Sequence, residues 1–239
     1  MRTYVDLGGT PEFTLRGAIL LYHGGRTSFA TYHGVDEEQR DESPRLGVAQ
    51  PLTTAFLKEL AGELGYRLPV EILPANVLVR SPEMLVWWAP ARVRTMFFAE
   101  HAKEARAISG QRFPQPALVF KVVGRELWLR ALAENERPEP AARLKTAPYW
   151  NCSDSGFCCQ GSMRSPDVGT SLDAMDVWER AFFQSEFTHA YGAARLTSFP
   201  GGIVRLWTSL AGSRQAFPVE YLTDAQETLQ QFVERRDRT

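Results

Sequence analysis

Residues Pro148–Gly161 read Pro-Tyr-Trp-Asn-Cys-Ser-Asp-Ser-Gly-Phe-Cys-Cys-Gln-Gly and hold all three cysteines of the chain. Apolar and aromatic residues flank the turn formers Ser153–Gly156, so the stretch predicts an ordered segment, a tight turn and a thiol just after it. A thiol attacks as its thiolate, and attack on an acyl carbon creates an oxyanion. A side-chain amide donor can stabilise that charge by about 3 kcal/mol. Cys159 and Asn151 together are therefore suited to acyl transfer through a thioester.

The spacing within this stretch resembles that of ubiquitin-conjugating enzymes. In that family an asparagine is followed by a turn glycine at plus five and by the thioester-forming cysteine at plus eight, and here Asn151 is followed by Gly156 and Cys159 at those offsets. Tyr149-Trp150 stand where the family has His-Pro. With this departure and a second motif at Trp178–His189, the chain is similar to the prokaryotic branch called family D, known as PRTRC system protein B. The looser resemblance runs from about residue 12 to 220.

The resemblance implies an α+β fold of the ubiquitin-conjugating-enzyme type. That fold is an antiparallel β-meander flanked by helices, here with bacterial additions, as a single domain over residues 1–239 with a core of roughly 12–220. In it, Asn151 would shape the loop and support the oxyanion, and Gly156 would form the turn. Tyr149, in place of the histidine, would close the loop by packing and by a hydroxyl hydrogen bond.

The resemblance also implies a function and partners. Cys159 would accept the C-terminal carboxyl of a ubiquitin-like protein from an adenylating activating enzyme and pass it to an acceptor protein or another nucleophile. A mobile-element cassette would encode these partners and a metal-dependent isopeptidase. The chain has no ATP or metal motif, so we expect no cofactor and no bound metal. By analogy with the family, the activating enzyme is expected to dock on the helix that opens the fold, either the one predicted at Pro51–Leu64 or another that takes this place.

The three cysteines are expected to differ in exposure. If Phe157–Gln160 is extended, successive side chains point to opposite faces, so Cys158 and Cys159 cannot share one. The offset from Asn151 assigns Cys159 to the active face and Cys158 to the core, where a free cysteine behaves as a small hydrophobe. Cys152 is expected to pack as well. An inert Cys159 remains the alternative.

Other interpretations of the stretch stay open. The replaced His-Pro and the doubled cysteine are compatible with a catalytically inactive adaptor of the same fold. A thiol hydrolase would need a distant histidine from the four in the chain. Asn151 would also fit an Asx-turn before the turn formers. Cys-x5-Cys-Cys spacing without a nearby histidine argues against zinc, and a vicinal disulfide is geometrically unfavourable.

Two aspartates and one histidine are further candidates for the site. Asp154 and Asp167 could tune the thiol or an incoming amine, but ordinary loop solvation is the favoured interpretation of both. His189 follows an apolar helix, and a capping or core-edge position is the simpler expectation for it.

Composition narrows the function classes. The 239 residues are 44% hydrophobic, enough for one core or for a core with an appended lobe. A net charge of -1, from 27 basic and 28 acidic residues, gives no sign of nucleic-acid or anionic-membrane binding. No apolar run reaches the roughly 18 residues of a membrane span, and the N-terminus lacks the apolar core of a signal peptide. Three clustered cysteines fit the reducing cytoplasm.

Hydrophobic periodicity and turn residues predict the remaining elements. In chain order these are a hairpin of strands over 12–22 and 27–32, a charged loop over 36–45, an amphipathic helix at Pro51–Leu64, strands at Val77–Val79 and Met84–Trp88, a basic segment at Arg92–Ala107 read as a solvated helical face, a hairpin of Ala117–Val123 and Glu126–Leu132, an exposed loop over 134–142, a helix at Ser171–Phe187 capped by Thr170 or Ser171, an apolar element at Ile203–Leu210, and a final amphipathic helix at Thr223–Arg236.

Overall fold

The chain forms two compact units, Met1–Glu71 and Ile72–Thr239. Strands dominate both, nearly all of them are antiparallel, and helices are few, so the fold class is α+β as predicted. The computed structural model describes residues 15–25, 27–36, 45–65, 71–100, 102–103, 105–188 and 196–235. The start of the predicted first strand and nearly all of the predicted charged loop therefore lie outside the described residues. None of the described residues forms a helix that is long and apolar enough to cross a bilayer.

The first unit is a strand hairpin followed by a helix. Strands β1 (Gly17–Gly24) and β2 (Thr27–Asp36) pair from Gly24 opposite Thr27, which confirms the predicted hairpin. The short strands β3 (Arg45–Leu46) and β4 (Gln50–Pro51) also pair with β2.

The helix of the first unit, α1, covers Thr54–Glu63. Its N-cap is Thr53, whose hydroxyl accepts a hydrogen bond from the backbone N–H of Phe56 at 3.1 Å. The predicted helix is thus confirmed from Thr54 onward. Its predicted first residue, Pro51, pairs in β4 instead.

A six-stranded antiparallel sheet organises the second unit. Its middle is the hairpin of β10 and β11, which turns through Gly124-Arg125 with the predicted bounds. One face carries the larger apolar core, and the other carries a smaller cluster around Val86, Val119 and Trp128. In spatial order the strands are β14 (Asp224–Thr228), β12 (Arg143–Thr146), β11 (Glu126–Leu132), β10 (Ala117–Val123), β6 (Met84–Ala89) and β5 (Val77–Arg80).

The prediction of a solvated helix at Arg92–Ala107 was wrong. The segment forms β7 (Val93–Thr95), which pairs with β9 (Arg112–Pro114), and β8 (Phe97–Phe98), which pairs in parallel with β13 (Glu186–Phe187). Among the residues of this segment that the structure describes, a helical turn is seen at Arg106–Ile108 alone, and it is of the 3₁₀ type. The physical reason is that Arg92 and Arg94 both donate to the buried carboxylate of Glu179, and the Arg94 guanidinium lies 4.2 Å from the centre of the Phe183 ring.

Three further helices complete the described part of the second unit: α2 (Ala174–Phe183), α3 (Gly202–Leu210) and α4 (Leu229–Glu234). Helix α2 buries the predicted aromatic stripe, including Trp178 and Phe182. Its N-cap is Asp173 without a side-chain cap bond, so the predicted caps Thr170 and Ser171 were wrong. The Ser171 hydroxyl donates to the carbonyl of Val168 instead.

The final helix is shorter than predicted. The segment predicted as a helix over Thr223–Arg236 begins as strand β14, in which Thr228 lies opposite Arg143 and Asp224 lies opposite Lys145. Helix α4 starts only at Leu229, where Thr228 and Gln231 form a capping box. The apolar spacing fitted a helix, but the pairing with β12 and the strong cap at Thr228 decide the boundary.

Candidate functional site

The Asn151–Cys159 stretch folds as a small hairpin. The N–H of Cys159 donates to the carbonyl of Asn151 at 2.8 Å, and the N–H of Ser153 donates to the carbonyl of Phe157 at 2.9 Å. Cys152 lies directly opposite Cys158 between these two bonds. The pleat alternates, so Cys152 and Cys158 share one face while Asn151 and Cys159 share the other. The hairpin therefore places the two predicted site residues, Asn151 and Cys159, opposite each other.

The hairpin is attached to the first half of β11 and extends the central sheet. The N–H of Cys158 donates to the carbonyl of Leu127, and the N–H of Leu129 donates to the carbonyl of Gly156, both at 2.8 Å. Phe157 pairs with Trp128, and their ring centres are 5.6 Å apart in an edge-to-face contact. The nucleophile candidate therefore stands at the end of an ordered strand-like segment.

Gly156 is required at the turn for two reasons. Its φ is +89°, which L side chains rarely adopt. A Cβ at this position would lie 2.8 Å from the carbonyl oxygen of Leu129 and 3.1 Å from Cζ of Arg130. No larger residue fits between the turn and β11 without moving the backbone.

The cysteines differ in exposure as predicted. Cys152 and Cys158 are 0% and 1% exposed, and their sulfurs are 3.0 Å apart. Burial raises the pKa of the Cys158 thiol well above its usual value of 9.0, and the hydrogen bond to Cys152 raises it further. Cys159 is only partly buried. The alternation argument therefore placed Cys158 in the core and Cys159 at the surface correctly.

We expect iodoacetamide to modify one cysteine of the native chain and all three after denaturation. The two buried thiols are enclosed, and burial raises the pKa of the Cys158 thiol, whereas Cys159 reaches solvent. Mass spectrometry of the alkylated protein counts the modified sites. Native Cys159→Ala should take up none, and native Cys158→Ala should still take up one. Modification of two or more thiols in the folded wild-type chain would contradict this arrangement.

The Asn151 carboxamide joins the hairpin to strand β13. The residue is 3% exposed. Its Nδ2 donates to the carbonyl of Glu186 at 3.1 Å, and its Oδ1 accepts from the N–H and the hydroxyl of Thr188 at 3.1 and 3.2 Å. These partners are distant in sequence, so the side chain spans two elements and does not form the Asx-turn considered above. Nδ2 makes one of its two possible hydrogen bonds here, and a Cβ on Gly161 would stand 3.7 Å from it.

Tyr149 is buried beneath the hairpin. Its hydroxyl donates to Oε1 of Gln115 at 2.7 Å, and its ring stacks on those of Phe187 and Trp207. Burial raises the pKa of Tyr149 well above 10.0, so the phenol stays neutral at physiological pH. Packing together with a hydroxyl bond is the arrangement that was expected where the related enzymes carry histidine.

The turn of the hairpin is held by a charged clamp of three residues, Arg130, Glu227 and Arg235, which the sequence did not predict. Arg130, whose side chain is 2% exposed, donates through Nη1 to the carbonyl of Asp154 at 2.8 Å and through Nε to Glu227 at 2.6 Å. Arg235 donates to Glu227 at 3.1 Å and to the carbonyl of Ser155 at 2.9 Å. Burial lowers the pKa of Arg130, and the Glu227 carboxylate opposes that shift. The sequence feature that could have indicated this clamp is Arg130 itself, a single arginine within the largely apolar strand Glu126–Leu132.

The other polar candidates either have partners apart from Asn151 and Cys159 or lie outside the described residues. Asp167 pairs with Arg125 at 3.8 Å, and both side chains are exposed. Asp154 contributes its carbonyl to Arg130. His101 and His189 lie outside the described residues. Among the residues that are described, no group of three or more histidine, cysteine, aspartate or glutamate side chains is arranged to hold a metal ion.

Comparison with known proteins gives one match. A family model described as prokaryotic E2 family D matches residues 55–225, a range that includes the hairpin, Tyr149 and Arg130 but ends before Glu227 and Arg235. No curated protein and no solved structure matches the chain. The match covers more than half of the sequence and confirms the resemblance noted from the Asn151, Gly156 and Cys159 spacing. The chain therefore belongs to prokaryotic E2 family D.

Proposed function

We propose that this chain is a ubiquitin-conjugating-type enzyme that carries a ubiquitin-like protein as a thioester on Cys159. The observation that carries the proposal is the exposure pattern of the hairpin: two thiols are buried, and the third, in register with Asn151, reaches solvent. Family membership supports an E2-like role with ubiquitin-like and activating-enzyme partners. We propose that the conjugating-enzyme core lies within residues 12–220, and that the protein works in a reducing compartment such as the cytoplasm.

The loading step is a thioester exchange. The Cys159 thiolate attacks the carbonyl carbon of the thioester on the activating enzyme, and a tetrahedral oxyanion forms. The bond to the activating enzyme's sulfur then breaks, and that sulfur leaves as a thiolate, which takes a proton from solvent. One thioester replaces another, so little driving force is needed, and the task of the chain is to position the sulfur. The hairpin's attachment to β11 supports this task.

Asn151 is proposed to stabilise the oxyanion. Its carboxamide is fixed at both ends by β13, so the amide group does not have to reorient during the reaction. The Nδ2 hydrogen that is not donated to Glu186 is the one available for the oxyanion. Transfer to the acceptor would proceed through a second oxyanion at the same sulfur, when an amine or another nucleophile attacks the carried acyl carbon.

Reconstitution tests the loading step. The chain is mixed with the activating enzyme and the ubiquitin-like protein of its own cassette and with ATP, and the products are separated with and without reductant. We expect an adduct that reductant removes, that Cys159→Ala abolishes and that Cys158→Ala retains. Circular dichroism of each variant shows whether it is folded. A folded Cys159→Ala chain that still forms the adduct contradicts the proposal.

A catalytically inactive adaptor is the second candidate. The observation that favours it is that the Asn151 and Tyr149 side chains both have structural partners, Glu186 with Thr188 and Gln115, respectively. The same reconstitution distinguishes the two. An adaptor binds the activating enzyme or the ubiquitin-like protein in a pull-down but forms no reductant-sensitive adduct.

A further inference from the structure

The two buried cysteines of the hairpin meet in a geometry that suits a covalent bond. Cys152 and Cys158 occupy a pair of directly opposite positions between the hydrogen-bonded pairs of Asn151 with Cys159 and of Ser153 with Phe157. In such non-hydrogen-bonded pairs the Cα atoms are about 4.5 Å apart and the side chains approach closely. That separation lies at the short end of the range that disulfides span. The two sulfurs are already in contact at 3.0 Å.

We propose that Cys152 and Cys158 form a reversible disulfide across the hairpin, which makes this pair a redox modification site separate from Cys159. The oxidant is a low-molecular-weight disulfide such as oxidised glutathione. The two protein thiols lose two protons and two electrons and form one S–S bond, while the oxidant's S–S bond takes up those protons and electrons and breaks to yield two free thiols. Reduction by an excess of small thiols reverses the same exchange.

The surroundings of the pair fit this exchange. Attack needs a transient thiolate. Burial raises the pKa of Cys158 and so opposes that anion, while the buried Arg130 guanidinium acts in the other direction and offsets part of this shift. Neither sulfur is exposed, so the oxidant enters only when the hairpin opens from β11. Oxidation is therefore slow in the folded chain and does not need Cys159, which the pleat directs to the other face.

The bond would lock the segment that presents Cys159. It closes a short loop through Gly156 and restricts the unfolded chain, so it stabilises the folded hairpin. Cys159 keeps its exposure, because its position opposite Asn151 does not change. The oxidised chain is thus expected to show one reactive thiol, the same one that the reduced chain shows. This inference stands independently of the proposed carrier function.

The test uses the full-length Cys159→Ser chain, in which only the pair remains. The protein is incubated folded with oxidised glutathione and, in a parallel sample, refolded from denaturant in the same oxidant, so that access does not limit the reaction. Iodoacetamide is then added under denaturing conditions, and the intact mass is measured. We expect loss of two hydrogens, no alkylated thiol, a monomer on a non-reducing gel, and restoration of two alkylated thiols by dithiothreitol. The oxidised sample should also melt at a higher temperature.

Control variants identify the bond. Cys152→Ala in the Cys159→Ser background leaves one thiol, which should remain alkylatable or take up a single glutathione. In the wild-type chain Cys152 and Cys158 should both become resistant to alkylation, and peptide mapping should find a single alkylated or singly glutathionylated cysteine, Cys159. Two free thiols, two glutathione adducts or a disulfide-linked dimer after both treatments of the Cys159→Ser chain would overturn the proposal.

Discussion

Replacing Glu227 with alanine is expected to lower the free energy of unfolding by about 3–5 kcal/mol, because it leaves a buried cation without its partner. The Arg130 side chain is 2% exposed, and among the described residues Glu227 is the carboxylate that pairs with it. The same arginine holds the Asp154 carbonyl at the turn. Loss of the Glu227 carboxylate should therefore loosen the hairpin that carries Cys159 and also destabilise the second unit.

Chemical denaturation followed by tryptophan fluorescence measures this effect. Glu220→Ala, which removes an exposed carboxylate from the same C-terminal region, is the matched control, with an expected change within about 0.5 kcal/mol. Glu227→Gln should fall between the two, because an amide oxygen still accepts from Arg130 but carries no charge. Equal stabilities of Glu227→Ala and Glu220→Ala would show that the buried pair does not support the fold.

Replacing Gly156 with alanine is expected to destabilise the hairpin by about 2–5 kcal/mol, the sum of backbone strain and overpacking. The strain arises from the φ of +89°, and the overpacking arises from a Cβ 2.8 Å from the Leu129 oxygen. The backbone must move to relieve the contact. The Gly156 carbonyl accepts a hydrogen bond from the N–H of Leu129, so that movement breaks a hydrogen bond that attaches the hairpin to β11.

Gly124 provides a matched control for this substitution. It also has a positive φ, +57°, in the turn between β10 and β11, but a Cβ there meets nothing within 4 Å. Gly124→Ala therefore has a positive-φ strain without the collision, and the difference between the two variants reports the collision together with the greater strain at φ +89°. Gly156→Ala should also expose Cys152 and Cys158 to iodoacetamide in the native chain. If both variants lose the same small stability and keep the buried thiols protected, the turn is not held against β11 as described.

Local patterns in the sequence predicted the elements whose contacts are local. The β10–β11 hairpin was predicted to the residue, because continuous apolar runs flank a two-residue turn with glycine. Helix α1 was predicted through its apolar spacing and its stop at Gly65. Likewise, simple alternation separated Cys158 from Cys159, because that argument concerns neighbouring residues alone.

Long-range partners account for what the sequence did not predict. Arg94 was assigned to a solvated helix because its neutralising partner, Glu179, is remote in the chain and buried. Strand β14 was assigned to a helix because apolar spacing does not reveal its partner β12. The anchoring of Asn151 by Thr188 and the clamp of Arg130 by Glu227 likewise join distant segments, and no local pattern encodes them.

The site of attachment in the loaded adduct tests the central claim most directly. After reconstitution with ATP and the proposed activating enzyme and ubiquitin-like protein, the adduct is digested with trypsin without reductant, and the peptide Thr146–Arg164 is sequenced by mass spectrometry. The account predicts that the C-terminal remnant of the ubiquitin-like protein is attached to the sulfur of Cys159. A remnant on Cys152, on Cys158 or on a lysine, with Cys159 free, would contradict it.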